Sequence, residues 1–427
     1  VARAANLRAL EKLMAEVPED AFVQHCHRND FSRWLFARTE ITLASKLRPI
    51  RNADFHTAES HRQYLISLIG SRRSRRQKGV VANFEAGAFD LDTEFFKIGK
   101  GSLGGKARGL AFMGNLLQRI GEIHRKFESV RLFIPQTLVV TTDAFDAFVG
   151  ENDLKRFATQ DAPDEEVAEA FRKAAFPPHV ADDLRAYLAR ITYPLAVRSS
   201  SLLEDAKVRA YAGLYRTCML ANDHGSLDVR LRQLIEAIKL VYASTYFQSP
   251  KAFSRRVGHR SEEEKMAVII QKLVGRPSSR YFYPAISGVA QSYNYYPFGP
   301  MKPDEGIATI ALGLGKTVME GEKALRFSPR HPQQLPQRST LKDILDNSQR
   351  FFYSLRLGGP YPALGINEDV NLEKREVADA GDDPPVRALS GYFLPGENRI
   401  RESYDPQGHP VLTFAPLLKY DLFPLAP

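Results

Sequence analysis

Five glycines fall between positions 99 and 109, at 99, 101, 104, 105 and 109, with Lys106 among them. Lacking a Cβ, glycine lets backbone N–H groups come close to an anion. The helical pattern that follows, from about Ala107, would aim its positive N-terminal end at the same place. Lys106 would add a mobile point charge for a phosphate oxygen. The loop is neither a Walker A sequence nor a dinucleotide fingerprint, and a tight turn without a ligand is the other reading of it. A second cluster is AVRSSSLLEDAKVRAYAGLY, Ala196 to Tyr215. There a short strand would deliver Arg198, Ser199 and Ser200 into a turn, as a guanidinium fork with hydroxyl donors beside it. Glu204 and Asp205 could position cations or cap a helix, and a plain surface pair with Arg198 is the alternative.

Positioning these groups requires strands and helices in alternation. RLFIPQTLVVTTDAF, ITYPLAVRSSS, KMAVIIQKLV, ISGVAQSY and IATIALGLG read as strands, the last ending in a glycine turn. LDVRLRQLIEAIKLVYASTYF has the spacing of an amphipathic helix. The alternation predicts an α+β or α/β sandwich. Residues 1–95 read as mostly helical, from LRALEKLMAEV and FSRWLFARTEITLASKL. Asp30 is the expected N-cap and Pro49 the expected stop of the second helix, which places Trp34, Phe36 and Leu43 in a core. His25, Cys26 and His27 have no second ligand cluster nearby and read as structural rather than metal-binding. Residues from about 355 to 427, rich in Pro, Gly, Asp and Arg, read as irregular loops and short strands. No internal repeat is visible.

The chain has 427 residues, enough for two or three domains, and 59 Lys and Arg against 50 Asp and Glu, for a formal charge of +9. That balance suits an anionic partner, nucleotide phosphates or nucleic acid. The densest basic run, SRRSRRQK from Ser71 to Lys78, has no interleaved aromatics for base stacking and reads as a solvated connector, which leaves nucleic acid a minor class. No apolar run of about 18 residues is present, so no membrane span is expected. The two cysteines, Cys26 and Cys218, have no paired or metal-ligand spacing and fit a reducing cytoplasm. The first residues lack both an initiator Met and a signal-peptide core, which suggests an internal piece of a longer protein.

Six segments in order, GGKARGL, IPQTLVVTT, AVRSSSLLEDAKVRAYAGLY, AVIIQKLV, SGVAQSYN and IALGLGKTVMEG, resemble the nucleotide-binding domain of phosphoenolpyruvate synthases and pyruvate phosphate dikinases over about residues 96–330. Rifampicin phosphotransferases and glucan water dikinases are related. The resemblance implies an ATP-grasp-like α+β domain of two to three subdomains: a first at 96–220, a second at 221–330, and an irregular segment at 331–427 that closes a cut-off domain. It implies that Gly104, Gly105, Lys106, Arg198, Ser199 and Ser200 hold the ATP phosphates, Lys106 and Arg198 acting in catalysis. Gln271, Lys272, Leu273 and Val274 would line the adenine pocket, an apolar strand with open backbone groups. It also implies Mg²⁺, a phosphoacceptor His on a separate swivelling domain, and pyruvate on a third domain.

Three departures qualify the resemblance. Lys316 stands where relatives commonly carry an acid after the GLG turn, with Glu320 and Glu322 close by, and reads as a structural variant, a phosphate contact or a sign of altered chemistry. The family's metal-binding strand has no match after Arg330; Glu368, Asp369 and Glu373 are the weak candidates there. No phosphoacceptor-His motif follows, and His409 reads as a turn residue. These departures motivate a second function class, a nucleotide-sensing module without phosphotransfer.

Overall fold

The computed structural model describes residues 3–4, 6–77, 81–87, 89, 91, 93–119, 130–201, 213–257 and 263–420. Glu204, Asp205, Lys78 and the last seven residues lie outside them.

The N-terminal region is helical, as its periodicity predicts. Helices Leu7–Glu16, Glu19–His27, Asp30–Ala37, Ile41–Leu47 and Ala58–Gln77 enclose Leu10, Met14, Phe22, Leu35 and Ile69. Four expectations fail here. FSRWLFARTEITLASKL is two helices, broken where Thr39 takes a left-handed φ of 60° and Glu40 turns inward to meet Arg72 at 3.2 Å. The break turns Leu35 into the core and leaves Phe36 63% exposed, whereas Leu43 is buried and Trp34 partly so. Asn29 is the cap; Asp30 is the first helical residue and pairs with His25 at 2.9 Å. Residues Ser71–Gln77 of the basic run continue the last helix rather than forming a connector.

A six-stranded sheet follows, built from β1 (Ala82–Asn83), β2 (Phe95–Ile98), β3 (Thr137–Val140), β4 (Leu195–Ser201), β5 (Thr217–Leu220) and β6 (Met266–Lys272) in the order β1-β2-β3-β6-β4-β5. The register lines up Phe96, Leu138, Ile270, Val197 and Cys218 in one cross-strand row, all buried. Helices Thr142–Glu151, Asp164–Lys173, Pro178–Leu188 and Leu227–Ala243 contribute to the core on that face. The alternate row is Lys97, Val139, Ile269, Arg198 and Thr217. Helix Gly104–Arg119 covers part of this second face, placing Ala107 against Val139, Ala267 and Ile269.

The remaining chain folds around another core. β7 (Arg276–Ser278), β8 (Tyr281–Tyr283), β12 (Phe351–Arg356) and β13 (Leu372–Glu376) form one antiparallel sheet; β9 (Ser287–Gln291), β10 (Ile307–Ala311) and β11 (Leu325–Phe327) form a second. β14 (Ser390–Leu394), β15 (Arg399–Arg401) and β16 (His409–Leu412) form a third. Phe282, Ile310, Phe327, Phe352, Leu355, Leu412 and Phe414 share the core. Strands from both sides of residue 330 are thus hydrogen-bonded in one sheet, and the tail, expected as irregular loops and short strands, holds β12 to β16. His409 opens β16 rather than a turn. The whole is α+β with a helical N-terminal region.

Candidate functional site

β2 ends at Ile98, and the glycine loop runs to a helix that starts at Gly104, three residues earlier than its pattern suggests. The loop rests on the turn that follows β3. Lys100 N–H donates to Asp143 Oδ2 at 2.8 Å, Ser102 N–H to the Thr142 hydroxyl at 2.9 Å, and Thr142 N–H to Ser102 O at 3.1 Å. A Cβ at Gly99 would meet Thr141 Oγ1 at 2.2 Å, and one at Gly101 would meet Asp143 N at 2.6 Å. These two glycines are therefore required by close packing within the protein. Partial burial raises the Asp143 carboxyl, but the Thr141 hydroxyl and the N–H groups of Lys100 and Gly101 outweigh it and hold the group below its ordinary value. Thr141, Thr142 and Asp143 carry a role that motif reading missed; a Thr-Thr-Asp run between a strand and a helix is the signal that could have found it.

The helix start is fixed to β4. Ser200 Oγ accepts the Ala107 N–H at 3.0 Å and donates to Leu103 O at 2.8 Å. Gly104, at φ 74°, lies so near that a Cβ would fall 1.6 Å from Ser200 O. Arg198, two residues along β4, shares the face of Ser200. The structure thus brings Gly104, Gly105, Lys106, Arg198 and Ser200 to one face of the sheet, with Lys106 and Arg198 both half-buried. The same alternation turns Ser199 to the opposite face. Ser200 is committed to holding loop and helix together.

Near the end of β6, Gln271 is buried and donates across to the Thr137 hydroxyl at 3.0 Å. The N–H groups of Lys272 and Leu273 are taken by Gln136 O and Pro194 O, both at 2.9 Å. Backbone donors expected to be open here are therefore paired. Lys272 lies over the Tyr193 ring, Leu273 packs against the second core, and Val274 is exposed as the chain crosses toward β7.

On the second core's side, the GLG turn is held by Leu314 N–H donating to Tyr353 O at 2.9 Å. Lys316 follows, 3.0 Å from Glu320 and 2.5 Å from Asp369. Burial lowers its ammonium, but hydrogen bonds to Asp369 and Glu320 dominate and raise it above the usual lysine range. Glu368 accepts the Thr217 N–H at 2.9 Å and Glu373 accepts the Tyr281 hydroxyl at 2.8 Å. Among the described residues no three His, Cys, Asp or Glu side chains gather to hold a metal ion. The described residues alone do not form a Mg²⁺ site, and the cation between Glu320 and Asp369 is Lys316.

Residues 100–350 match the family described as pyruvate phosphate dikinase, AMP/ATP-binding domain. The chain belongs to this family. It is 27% identical over 175 residues to a phosphoenolpyruvate synthase of Aquifex aeolicus, covering 36% of this chain and 20% of that protein. It is 24% identical over 194 residues to the uncharacterized phosphotransferase YvkC of Bacillus subtilis, covering 44% of this chain and 20% of the relative. The matched part of the chain thus corresponds to about a fifth of either relative's length. The family accounts for a nucleotide-binding domain of the phosphotransferase kind. Among the described residues no helix is long and apolar enough to cross a membrane.

Proposed function

We propose that this chain binds ATP in an ATP-grasp-like manner and starts a phosphoryl relay of the phosphoenolpyruvate-synthase or pyruvate-phosphate-dikinase type. The observation that carries this reading is the junction of Ser200 with Leu103 and Ala107, which sets the glycine-loop helix N-terminus beside the β4 face carrying Arg198. Lys106 and Arg198 would then neutralise phosphate charge as the transferred group departs, since such transfer depends on positioning and electrostatics more than on covalent help. Gly104 and Gly105 shape the cradle, and the stretch from Gln271 to Val274 borders the base. The phosphoryl group would pass to a His on a separate domain and then to pyruvate or a related acceptor. Magnesium would arrive with the nucleotide phosphates, which leave it needing one or two carboxylates at most. The two buried thiols, Cys26 and Cys218, fit a cytoplasmic setting.

Calorimetric titration with ATP, with and without Mg²⁺, tests the reading. Lys106→Ala and Arg198→Ala should each weaken binding about tenfold or more, as loss of a charged hydrogen bond does. Unchanged affinity in both variants would sink the assignment. A second reading, nucleotide sensing without transfer, is favoured by Lys316 occupying the space between Glu320 and Asp369. Acceptor-dependent consumption of ATP would exclude it.

A further inference from the structure

β9 ends the sheet β11-β10-β9, and among the described residues no strand pairs with its outer side. Alternate residues of an antiparallel strand turn their N–H and C=O groups away from the partner, so β9 offers some of them outward. The strand lies open: Gly288 to Gln291 are all exposed, Val289 at 42%. An edge of this kind is normally guarded by a charge or a proline that discourages pairing with another chain. The other edges of the three antiparallel sheets carry such guards: Arg276 and Pro277 on β7, Arg326 on β11, Lys374 on β13, Arg399 on β15 and Pro410 on β16. β9, Ser-Gly-Val-Ala-Gln, has neither. In a chain that is 26% charged, no residue from Tyr281 to Met301 is charged. Just beyond β9 the same stretch exposes Tyr293, Tyr295, Tyr296 and Phe298, with Tyr293 and Tyr295 edge to face at 4.9 Å. Exposed aromatic rings in a stretch without Lys, Asp or Glu have the composition of a protein–protein contact.

Charge favours one occupant. β9 has no cation to draw an acidic strand and no carboxylate to draw a basic one, whereas a copy of itself meets it without opposing like charges. We propose that β9 pairs antiparallel with β9 of a second copy of this chain, about a two-fold axis at Val289. Val289 then faces its own counterpart, Ser287 faces Gln291, Gly288 faces Ala290, and Tyr293 comes opposite the exposed Ala285. Pairing consumes both open edges, so assembly stops at the dimer. The formal charge of +9 on each copy opposes approach, and salt should strengthen the dimer by screening it. The inference does not rest on the nucleotide reading, because no residue assigned to ATP lies between Tyr281 and Met301.

Sedimentation velocity of the full chain over a range of concentrations, at low and high NaCl, tests it. The parent should show a concentration-dependent dimer that salt strengthens. Val289→Lys sets two ammonium groups against each other across the axis, and Val289→Glu sets two carboxylates. Each variant alone should dimerise about tenfold or more weakly than the parent. An equimolar mixture of the two sets an ammonium against a carboxylate and should recover the dimer, which misfolded variants could not do. A parent that stays monomeric at every concentration, a dimer weakened by salt or left intact by both substitutions, or a mixture that stays monomeric would overturn the proposal.

Discussion

The hydroxyl of Ser200 joins three parts of the chain: it sits on a central strand, accepts the N–H of Ala107 at 3.0 Å and donates to the carbonyl of Leu103 at 2.8 Å. Ser200→Ala leaves a buried donor and a loop carbonyl without this partner. The expected loss is about 2 kcal/mol of stability, read by urea unfolding, together with weaker ATP binding. Equal stability of variant and parent would show that the helix start is held by other contacts.

Gly104→Ala and Gly109→Ala should diverge sharply. At Gly104 the new methyl would lie 1.6 Å from a backbone oxygen at a φ of 74°, whereas at Gly109 nothing lies within 4 Å. The first substitution should dislodge the helix and abolish nucleotide binding. The second should be neutral or stabilise by up to about 1 kcal/mol, because alanine is the better helix former. Thermal unfolding and ATP titration of the pair distinguish packing from mere glycine content.

Asp143 gives a pH dependence of known sign. Its carboxyl is held below the ordinary value, so the unfolded chain takes up its proton first as pH falls. The contribution is present above the ordinary carboxylate value of about 4 and is lost as pH drops below it toward the folded value. Asp143→Asn should be less stable near neutral pH and flatter in its acid limb. Denaturant midpoints measured from pH 3 to pH 7 in both proteins check this.

Lys316→Met removes the ammonium that lies 3.0 Å from Glu320 and 2.5 Å from Asp369. Two carboxylates then face each other without a cation. Because Glu320 is half exposed, screening limits the loss to about 1–2 kcal/mol. Low ionic strength should enlarge the difference from the parent, whereas a salt-independent difference would point to lost aliphatic packing.

Segments with strong periodicity were legible from sequence. The hydrophobic runs of β3, β4 and β6, and the helix that contains Leu234 and Ile238, stand where the pattern places them. What sequence reading missed depends on distant partners or local backbone. Thr39 adopts a left-handed turn that no apolar spacing announces, and Phe36 went outward with it. β13, Leu-Glu-Lys-Arg-Glu, is too polar to read as a strand; pairing with β12 makes it one. In the candidate site, Lys106 and Arg198 stood out by residue type. The support from Thr142 and Asp143 did not, because it lies about 40 residues from the loop it holds.

One connection matters beyond the site. Between β12 and β13 the chain leaves its own core; Gly358 N–H and the Tyr361 hydroxyl donate to Asp223, and Leu364 is buried in the core of the six-stranded sheet. It then gives Glu368 to Thr217 and returns, with Asn371 donating to Met219 O at 2.8 Å. A strap inserted in this way makes each core a structural element of the other. Heating should therefore melt both in a single calorimetric transition, and Leu364→Ala, by withdrawing the pin, should split that transition into two.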